Sequence, residues 1–494
     1  MRGALGKMDV RMAAGVACQQ GFMFSLFYLG RNQALEAGSF SFERIDLLFT
    51  FLFMAAAFCA VRAASARARD ALLAPTLVGW YAVLLVVGSL LLTLPLNAGL
   101  AEVAAEGALI GLPAGLLLCA WGRALGRGSA LGGVPEVFAG TLAGAACCLA
   151  VQAVPALEAT EVLKALPIGS AWALRSILPA AASAPEREDG AKERPAGTLS
   201  LSALIATPEE RRATARLSVK IVAGTALFGL AGGFMETFSS DPGMASMPQF
   251  SATLLILVLF CAAALQLAGA AGAGEADAAD AGAADDRAGV YRLALLVTMA
   301  GFLFIPVLSG FGVTGGSIVL AGYLGLVCVL MTLFLAMARA QGRDAAASFA
   351  RGFTALYLGE AAGIALGNVV ELFPLAAPQP YAVSACAGLA WLFAYLFLFT
   401  ERDFRQLSSI VGGIDVFDAA CGRIAQEAGL SKREAEVLPL ALRGRTSERI
   451  AAELFVAKST ADTHLRRIYA KTGVHGRQEL IDLGERVQAE LRRG

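Results

Sequence analysis

The chain has 494 residues, of which 57% are hydrophobic and 16% charged, and its 40 basic residues balance its 40 acidic residues. This composition excludes an ordinary soluble globular protein, in which about a quarter of the residues are charged. Apolar runs of about 20 residues, long enough to cross the hydrocarbon of a bilayer, recur along the first four fifths of the chain.

We predict about twelve membrane helices in two sets of six. The predicted spans are 12–30, 45–63, 72–94, 99–121, 134–155 and 160–182 in the first set, and 217–239, 249–271, 290–310, 314–338, 352–373 and 381–399 in the second. The sixth span contains Glu161, Lys164 and Arg175, which are unusual inside a membrane. A polar linker rich in charge, Pro and Ala separates the sets.

The distribution of basic residues predicts the orientation. With the N-terminus in the cytoplasm, 21 Lys and Arg of the membrane part fall on the cytoplasmic side. Only Arg31, Arg44 and Lys164 fall on the other side. Positive charge concentrates on the cytoplasmic side of membrane proteins. We therefore predict a multi-pass protein of the cell inner membrane, with the lipid bilayer as a partner and both termini in the cytoplasm.

The arrangement of six helices, a cytoplasmic linker and six more helices resembles the architecture of major facilitator transporters. That family carries a loop rich in Gly, Asp and Arg between its second and third helices. The corresponding sequence here, RAASARARD at 62–70, lacks the glycines. The resemblance therefore implies a facilitator-like fold more than it implies active transport, because a fold alone does not fix a function.

Polar side chains within the predicted spans suggest a ligand site. Gln20 lies in the first span, Glu106 in the fourth and Glu236 near the end of the seventh. In a facilitator-like arrangement these three helices line the central cavity, so these residues are candidates for binding an unknown small-molecule ligand. The alternative for Glu106 is hydration or a hydrogen bond between helices. For Glu360, which lies among small residues, we favour a structural role.

The last part of the chain carries the start and stop signals of short helices. Ser431 and Glu434 form an S-x-x-E capping box, which predicts the beginning of a helix at Ser431. Gly444 ends that helix, where a left-handed residue is needed. Thr446 then caps a second short helix, and a turn follows at 455–457.

A third helix from about 458 to 471, ending at Gly473, and a fourth from about 477 to 491 complete a helix-turn-helix pattern. The third helix of such a motif enters the major groove of DNA. Residues 430–494 hold 13 basic against 9 acidic residues, as expected for a surface that meets phosphates. The predicted DNA-contact residues are Lys458, Ser459, Thr460, Thr463, His464, Arg466, Arg467 and Lys471. We expect Lys471 to contact phosphate and the two threonines to approach base edges.

This segment resembles the C-terminal DNA-binding domain of LuxR-type transcriptional regulators. The resemblance covers about residues 429–483 and rests on LSKREAEVL, IAAELFVAKST and RQELIDL. It implies that the third helix binds double-stranded DNA and that the last helix pairs two subunits into a homodimer. Asp462 stands where the family usually has a basic or neutral residue. We expect it to weaken DNA binding by roughly 1 kcal/mol or more, unless it accepts a hydrogen bond from a cytosine amino group. Ala457 replaces the usual capping serine, a cap that Ser459 or Thr460 can supply.

We therefore predict an all-α chain with five parts. These are a first membrane half at 1–182, a cytoplasmic linker at 183–216, a second half at 217–399, a connector at 400–425 and the DNA-binding domain at 426–494. Phe417, Ile424 and Ala425 suggest an amphipathic helix in the connector, which either relays movement or spaces the domains.

Together these features predict a membrane-embedded, one-component transcriptional regulator that is controlled by a ligand. The alternatives are a secondary transporter with an appended DNA-binding domain and a constitutive membrane anchor. Both histidines of the chain, His464 and His475, lie in the DNA-binding segment. The membrane part thus has no histidine for a phosphorelay, a zinc site or Ser/His chemistry. We expect no enzymatic activity, no catalytic residue, no metal and no cofactor.

Overall fold

The structure, a computed structural model, describes residues 8–29, 34–37, 40–91, 99–126, 134–153, 159–178, 208–238, 250–270, 279–308, 315–371, 380–398 and 400–493. The described residues are almost entirely helical, as the sequence predicts. A small hairpin between the first two helices, β1 (Leu35–Ala37) paired antiparallel with β2 (Phe40–Phe42), was not predicted.

The helices before the linker match the first predicted set. They are α1 (Val10–Tyr28), α2 (Ile45–Ala63), α3 (Ala66–Leu72), α4 (Pro75–Leu91), α5 (Leu100–Gly126), α6 (Val134–Gln152) and α7 (Leu166–Ile177). A bend of 50° separates α3 from α4, and Pro75 begins α4. The region of the sixth predicted span is broken, because a 3₁₀ turn (Ala159–Ala165) precedes the 12-residue α7. Pro167, at the start of α7, accounts for this break.

The helices from residue 208 onwards correspond in order to the second set, although the first of them begins within the predicted linker 183–216. They are α8 (Pro208–Phe238), α9 (Phe250–Ala270), α10 (Ala279–Leu308), α11 (Gly315–Gln341), α12 (Ala345–Glu371) and α13 (Pro380–Phe393), which continues as a π-helical turn (Ala394–Leu398). Within the described residues, seven helices are long and apolar enough to cross a membrane, or eight if α3 and α4 count as one span. Shorter apolar helical segments lie at Gly289–Phe304 and Ala385–Leu396. The structure therefore has seven or eight candidate spans, whereas the sequence predicts twelve.

The two sets pack against each other in a reciprocal way. The second helix of the first set, α2, contacts the fifth of the second set, α12, while α6 and α9 form the converse pair. Within the sets, α1 packs on α6 just as α8 packs on α12. This correspondence is what two structurally related halves would produce.

Close approach between α8 and α12 depends on glycine. A Cβ atom at Gly233 would collide with the backbone of Glu360, and one at Gly363 would collide with the backbone of Leu230. Small residues let membrane helices pack at short range. The glycines therefore hold Glu360 of α12 directly against α8.

Polar contacts join the two halves at both ends of α2. At its C-terminal end, Asp344 of the second half pairs with Arg69 at 3.3 Å and with Arg123 at 2.7 Å. The two arginines hold the pKa of Asp344 below its ordinary value, although burial acts in the opposite direction. At the N-terminal end, the Glu43 N–H donates to Asn368 Oδ1 at 2.7 Å.

One continuous helix, α14 (Glu401–Glu427), connects the membrane part to the C-terminal domain. Thr400 and Asp403 form a capping box at its start, and Asp403 is also held by Lys220 of α8 at 3.1 Å. Burial would raise the pKa of Asp403, but hydrogen bonds from Thr400 and Lys220 lower it overall. The sequence predicts a short amphipathic helix in the connector, whereas the helix that is present there is 27 residues long.

The two ends of α14 belong to two different hydrophobic cores. Leu407 and Val411 pack into the core of the membrane part. Phe417 and Ile424 pack into the core of the C-terminal domain. The guanidinium of Arg443 lies 4.3 Å from the centre of the Phe417 ring, which adds a cation–π contact.

Four helices follow α14. They are α15 (Lys432–Leu442), α16 (Ser447–Leu454), α17 (Lys458–Thr472) and α18 (Arg477–Arg493). These bounds confirm the predicted order of two short helices, a longer third helix and a last helix. Leu480 and Val487 turn one side of α18 towards this core, and α18 packs on both α14 and α15.

We predict that a soluble fragment of residues 413–494 is more stable than one of residues 429–494. Both fragments keep α15 to α18, but only the longer one retains Phe417 and Ile424, which are each 3% exposed. In the longer fragment, Phe417→Ala should lower the free energy of unfolding by about 3 kcal/mol, because it leaves a cavity in the core. Urea denaturation followed by circular dichroism measures both effects. Equal stability of the two fragments would show that α14 is not part of this core.

Candidate DNA-binding surface and intramembrane cavity

The start of α15 fixes the geometry of the C-terminal domain. The Ser431 N–H donates to Glu434 at 2.7 Å, and the Glu434 N–H donates to Ser431 Oγ at 3.4 Å, so the predicted capping box is confirmed. Gly444 ends α15 with φ +70°, as predicted. The capping box thereby satisfies two of the backbone N–H groups at the start of the helix, those of Ser431 and Glu434.

The turn between α16 and α17 is short and constrained. Thr446 caps α16, as predicted, and Phe455 ends it in the left-handed region with φ +54°. Ala457 begins α17 without any side-chain cap, so neither Ser459 nor Thr460 takes over that role. Gly473 ends α17 with φ +70°, again as predicted.

The buried side of α17 is formed by Ala461, Leu465 and Ile468. Of the eight predicted DNA-contact side chains on α17, seven are exposed. They are Lys458, Ser459, Thr460, Thr463, Arg466, Arg467 and Lys471, whereas His464 is half-buried. Thr463 donates from its hydroxyl to the carbonyl of Ser459 at 2.8 Å. The structure thus gathers the predicted residues along one helix.

The charge at the N-terminal end of α17 is partly neutralised. Lys458 Nζ lies 2.7 Å from Glu448 Oε1 of α16. That contact lowers the pKa of Glu448, while the nearby carboxylate of Asp462 acts in the opposite direction. Lys458 therefore lies between two carboxylates, and Arg466 and Arg467 form the more strongly positive part of the helix.

Lys471 occupies a different environment from the one we expected. Its amino group donates to Glu434 Oε2 at 2.7 Å and to the Gly429 carbonyl at 3.1 Å. The side chain of Glu434 is only 3% exposed. Lys471 therefore ties the end of α17 to the start of α15, and a contact with phosphate would have to compete with these two bonds.

Comparison with known proteins agrees with this geometry. Residues 428–483 match the family of bacterial regulatory proteins described as the luxR family. Residues 428–483 form a LuxR-type helix-turn-helix domain. The matched segment covers about a ninth of the 494 residues, and the apolar helical region that precedes it lies outside this match.

Two relatives illustrate how local the likeness to LuxR-type proteins is. The probable transcriptional regulatory protein NarL of Mycobacterium tuberculosis is 45% identical over 78 residues, which are 15% of this chain and 33% of that protein. The HTH-type transcriptional regulator MalT of Yersinia pestis is 43% identical over 58 residues, which are 12% of this chain and 6% of that protein. The chain thus spans a third or less of these relatives.

Away from the LuxR-type domain, the described membrane part contains a cavity between the two halves. Together with its opening, it has about 590 Å³ of space without protein atoms. Its walls are mainly aliphatic, aromatic and sulfur-containing. The polar side chains that line it are Gln19, Gln20, Tyr28, Tyr323, Tyr357 and Glu360.

Of the three residues predicted to bind a ligand, the structure brings two to this region. Gln20 lines the cavity, and its amide donates weakly to Thr141 Oγ1 at 3.4 Å. Glu236 lies next to the cavity and accepts a hydrogen bond from Tyr28 at 3.0 Å. Glu106 lines neither this cavity nor the smaller one beside Glu236. It lies on α5 next to Gly107, which packs against the backbone of α2.

Sequence reasoning did not identify the tyrosines. Tyr28 connects the cavity to Glu236, and the Tyr323 hydroxyl donates to Glu360 Oε1. Arg44 lies 3.9 Å from Glu236 and donates to the Phe27 carbonyl at 2.8 Å. A tyrosine in an apolar helix is ordinarily a packing residue. Tyr28 and Tyr323 differ from such residues only in the position of the hydroxyl group, which the sequence does not reveal.

We predict that the LuxR-type domain loses stability at acidic pH, because protonation of Glu434 breaks its ion pair with Lys471. Lys471 and the Ser431 N–H lower the pKa of Glu434 from 4.5 to about 2. Because the carboxylate is favoured in the folded state, its contribution is complete above about pH 4.5 and is lost as the pH falls towards 2. Glu434→Gln should remove this part of the pH dependence, and Lys471→Met should reduce it.

Urea denaturation of the fragment 413–494 between pH 2 and pH 7 measures the effect, with Arg433→Met as a control that removes a cation outside this contact. An unchanged pH profile in Glu434→Gln would contradict the assignment.

Proposed function

We propose that the protein is a membrane-embedded, one-component transcriptional regulator. In this proposal the LuxR-type domain binds double-stranded DNA, and a small molecule bound between the two membrane halves controls that domain. The single observation that carries the proposal is α14, which contributes residues to both hydrophobic cores. A rigid helix shared by two cores transmits displacement, whereas a flexible tether does not.

The proposed orientation places the DNA-binding domain in the cytoplasm. We propose about twelve spans in the inner membrane, with both termini in the cytoplasm, because 21 of the 24 Lys and Arg before Glu401 then face that side. Arg69, Arg123 and Asp344 would lie at the cytoplasmic end under this orientation. Lys220 and Asp403 would lie at the same end, adjacent to the start of α14.

We further propose that DNA binding uses the exposed side of α17, with Arg466 and Arg467 on phosphates and Thr460 and Thr463 near base edges. Pairing of two copies through α18 would have to use its outer side, because Leu480 and Val487 are buried. Gln478, Asp482 and Glu485 are exposed on that outer side. The proposed homodimer contact is therefore largely polar, so that it would form mainly when both copies are on DNA.

A secondary transporter with an appended regulatory domain is the second candidate. The observation that favours it is the reciprocal packing of the two halves around a cavity, with polar contacts between the halves at both ends of α2. Proteoliposomes that carry residues 1–429 would take up a solute against a gradient if this candidate were correct, because this fragment keeps the residues of α14 that pack into the membrane part. The regulator proposal expects ligand binding without such uptake.

We predict that the full-length protein in nanodiscs retards DNA from upstream of its own gene or of neighbouring genes in gel shifts. Binding should fall steeply as salt rises, because phosphate contacts release counterions. Replacing Arg466 and Arg467 by Ala should abolish retardation, while replacing exposed Arg486 of α18 by Ala should not. The absence of retardation even at low salt would contradict the regulator proposal.

We predict that Asp462→Lys raises DNA affinity roughly fivefold, because it replaces a carboxylate near phosphates with a cation. The same change should steepen the dependence on salt. Asp462→Asn separates removal of the negative charge from addition of a positive one. A decrease in affinity with both variants would show instead that Asp462 accepts a hydrogen bond from a base, such as the amino group of cytosine.

A further inference from the structure

We infer that the cavity between the membrane halves binds an organic ammonium ion, that is, a small protonated amine on an apolar body. Binding of the ammonium ion is inferred from the cavity alone. Its effect on the LuxR-type domain rests on the proposed function.

The cavity contains a buried carboxyl group with no cation among the lining residues. Glu360 is 3% exposed, and Tyr323 donates to its Oε1. Within the described part of the chain, Oε2 of Glu360 has no hydrogen-bond partner. No Lys, Arg or His is among the residues that line this cavity. Glu236, in contrast, has Arg44 and Tyr28 beside it. A carboxylate buried without a cation is strongly unfavourable, and a bound cation would relieve that cost.

The cavity also has an aromatic wall. Phe24, Phe27, Tyr28, Tyr323, Phe353 and Tyr357 all line the cavity. Tyr357 is held in place by Phe51 and Phe353, whose ring centres lie 5.0 and 5.9 Å from its own. Aromatic faces attract organic cations, and they do so most strongly where water is excluded. A carboxylate among aromatic rings is therefore suited to an ammonium group.

The amide of Gln19 is a second polar group among the lining residues. Gln19 is also 3% exposed, and its Oε1 accepts a hydrogen bond from Ser170 at 3.1 Å. Its amide Nε2 has no hydrogen-bond partner among the described residues. The cavity thus offers an unused acceptor at Glu360 and an unused donor at Gln19. A ligand that carries an ammonium group and a hydrogen-bond acceptor would satisfy both.

Other ligand classes fit this wall less well. A bare metal cation requires several oxygen ligands, whereas most of this lining is carbon and sulfur, including Met23, Cys328 and Met331. An anion would meet Glu360 with no cation among the lining residues. A neutral apolar molecule would leave Oε2 of Glu360 without a hydrogen-bond partner.

The test is calorimetric titration of the full-length protein in nanodiscs with benzylamine and with benzyl alcohol, which has a similar shape without the charge. Benzylamine should bind at least about tenfold more tightly than the alcohol. Glu360→Gln should weaken benzylamine about tenfold or more and bring the two probes close together. If neither benzylamine nor 2-phenylethylamine binds at millimolar concentration, the inference is wrong.

Two further variants keep the test decisive. Val327→Phe fills part of the cavity without changing charge, so it should weaken benzylamine even if Glu360→Gln fails to fold. Glu106→Gln removes a carboxylate that does not line the cavity and should leave benzylamine binding unchanged. A loss in Glu106→Gln with no loss in Val327→Phe would place the ligand elsewhere and overturn the inference.

Gel shifts with the same nanodiscs separate this inference from the proposed function. Retardation of DNA without any binding of amines would refute the inference and leave the regulator proposal standing. Binding of benzylamine that depends on Glu360, without retardation of DNA, would support the inference and refute the regulator. Binding of both, with retardation changed by benzylamine, would support the two together.

Discussion

The structure depends on one helix being part of two hydrophobic cores. If α14 ended near Val411, a flexible linker would connect the LuxR-type domain to the membrane part. Instead the helix continues to Glu427, and Phe417 and Ile424 are buried by the domain that follows. Moving the first half of α14 relative to the apolar helices must therefore move or destabilise the domain. The boundary between the apolar helical part and the LuxR-type domain thus falls inside a helix.

The C-terminal domain could be predicted closely because its signals are local. A capping box at Ser431 and Glu434 and a left-handed glycine at Gly473 act within one turn of chain. Amphipathic periodicity then assigns Ala461, Leu465 and Ile468 to the buried side of α17. The environment of Lys471 could not be predicted, because its partner Glu434 lies 37 residues earlier in the chain.

The membrane part shows why the residues that line the cavity could not be predicted from the sequence. Its helices are apolar on nearly every side, so periodicity does not reveal which side faces a cavity. Glu106 and Glu360 look alike in sequence, yet only Glu360 lines the cavity. The contact between Tyr28 and Glu236 joins residues 208 positions apart. Only the packing of two halves, which depends on glycines such as Gly233 and Gly363, decides which carboxylate reaches the cavity.

The packing of α8 against α12 also connects the cavity to the DNA-binding domain, through the single helix α8. Gly233 of α8 lies against the backbone of Glu360, and Lys220, about three and a half turns earlier on α8, holds Asp403 at the start of α14. Since α8 is one continuous helix, a ligand that shifts α12 at Glu360 acts on the contact that positions α14. A ligand alters the LuxR-type domain only to the extent that it binds one arrangement of α8 and α12 more tightly than another. The tight fit at the glycines favours such discrete arrangements, because closely packed helices exchange one packing for another more readily than they deform continuously.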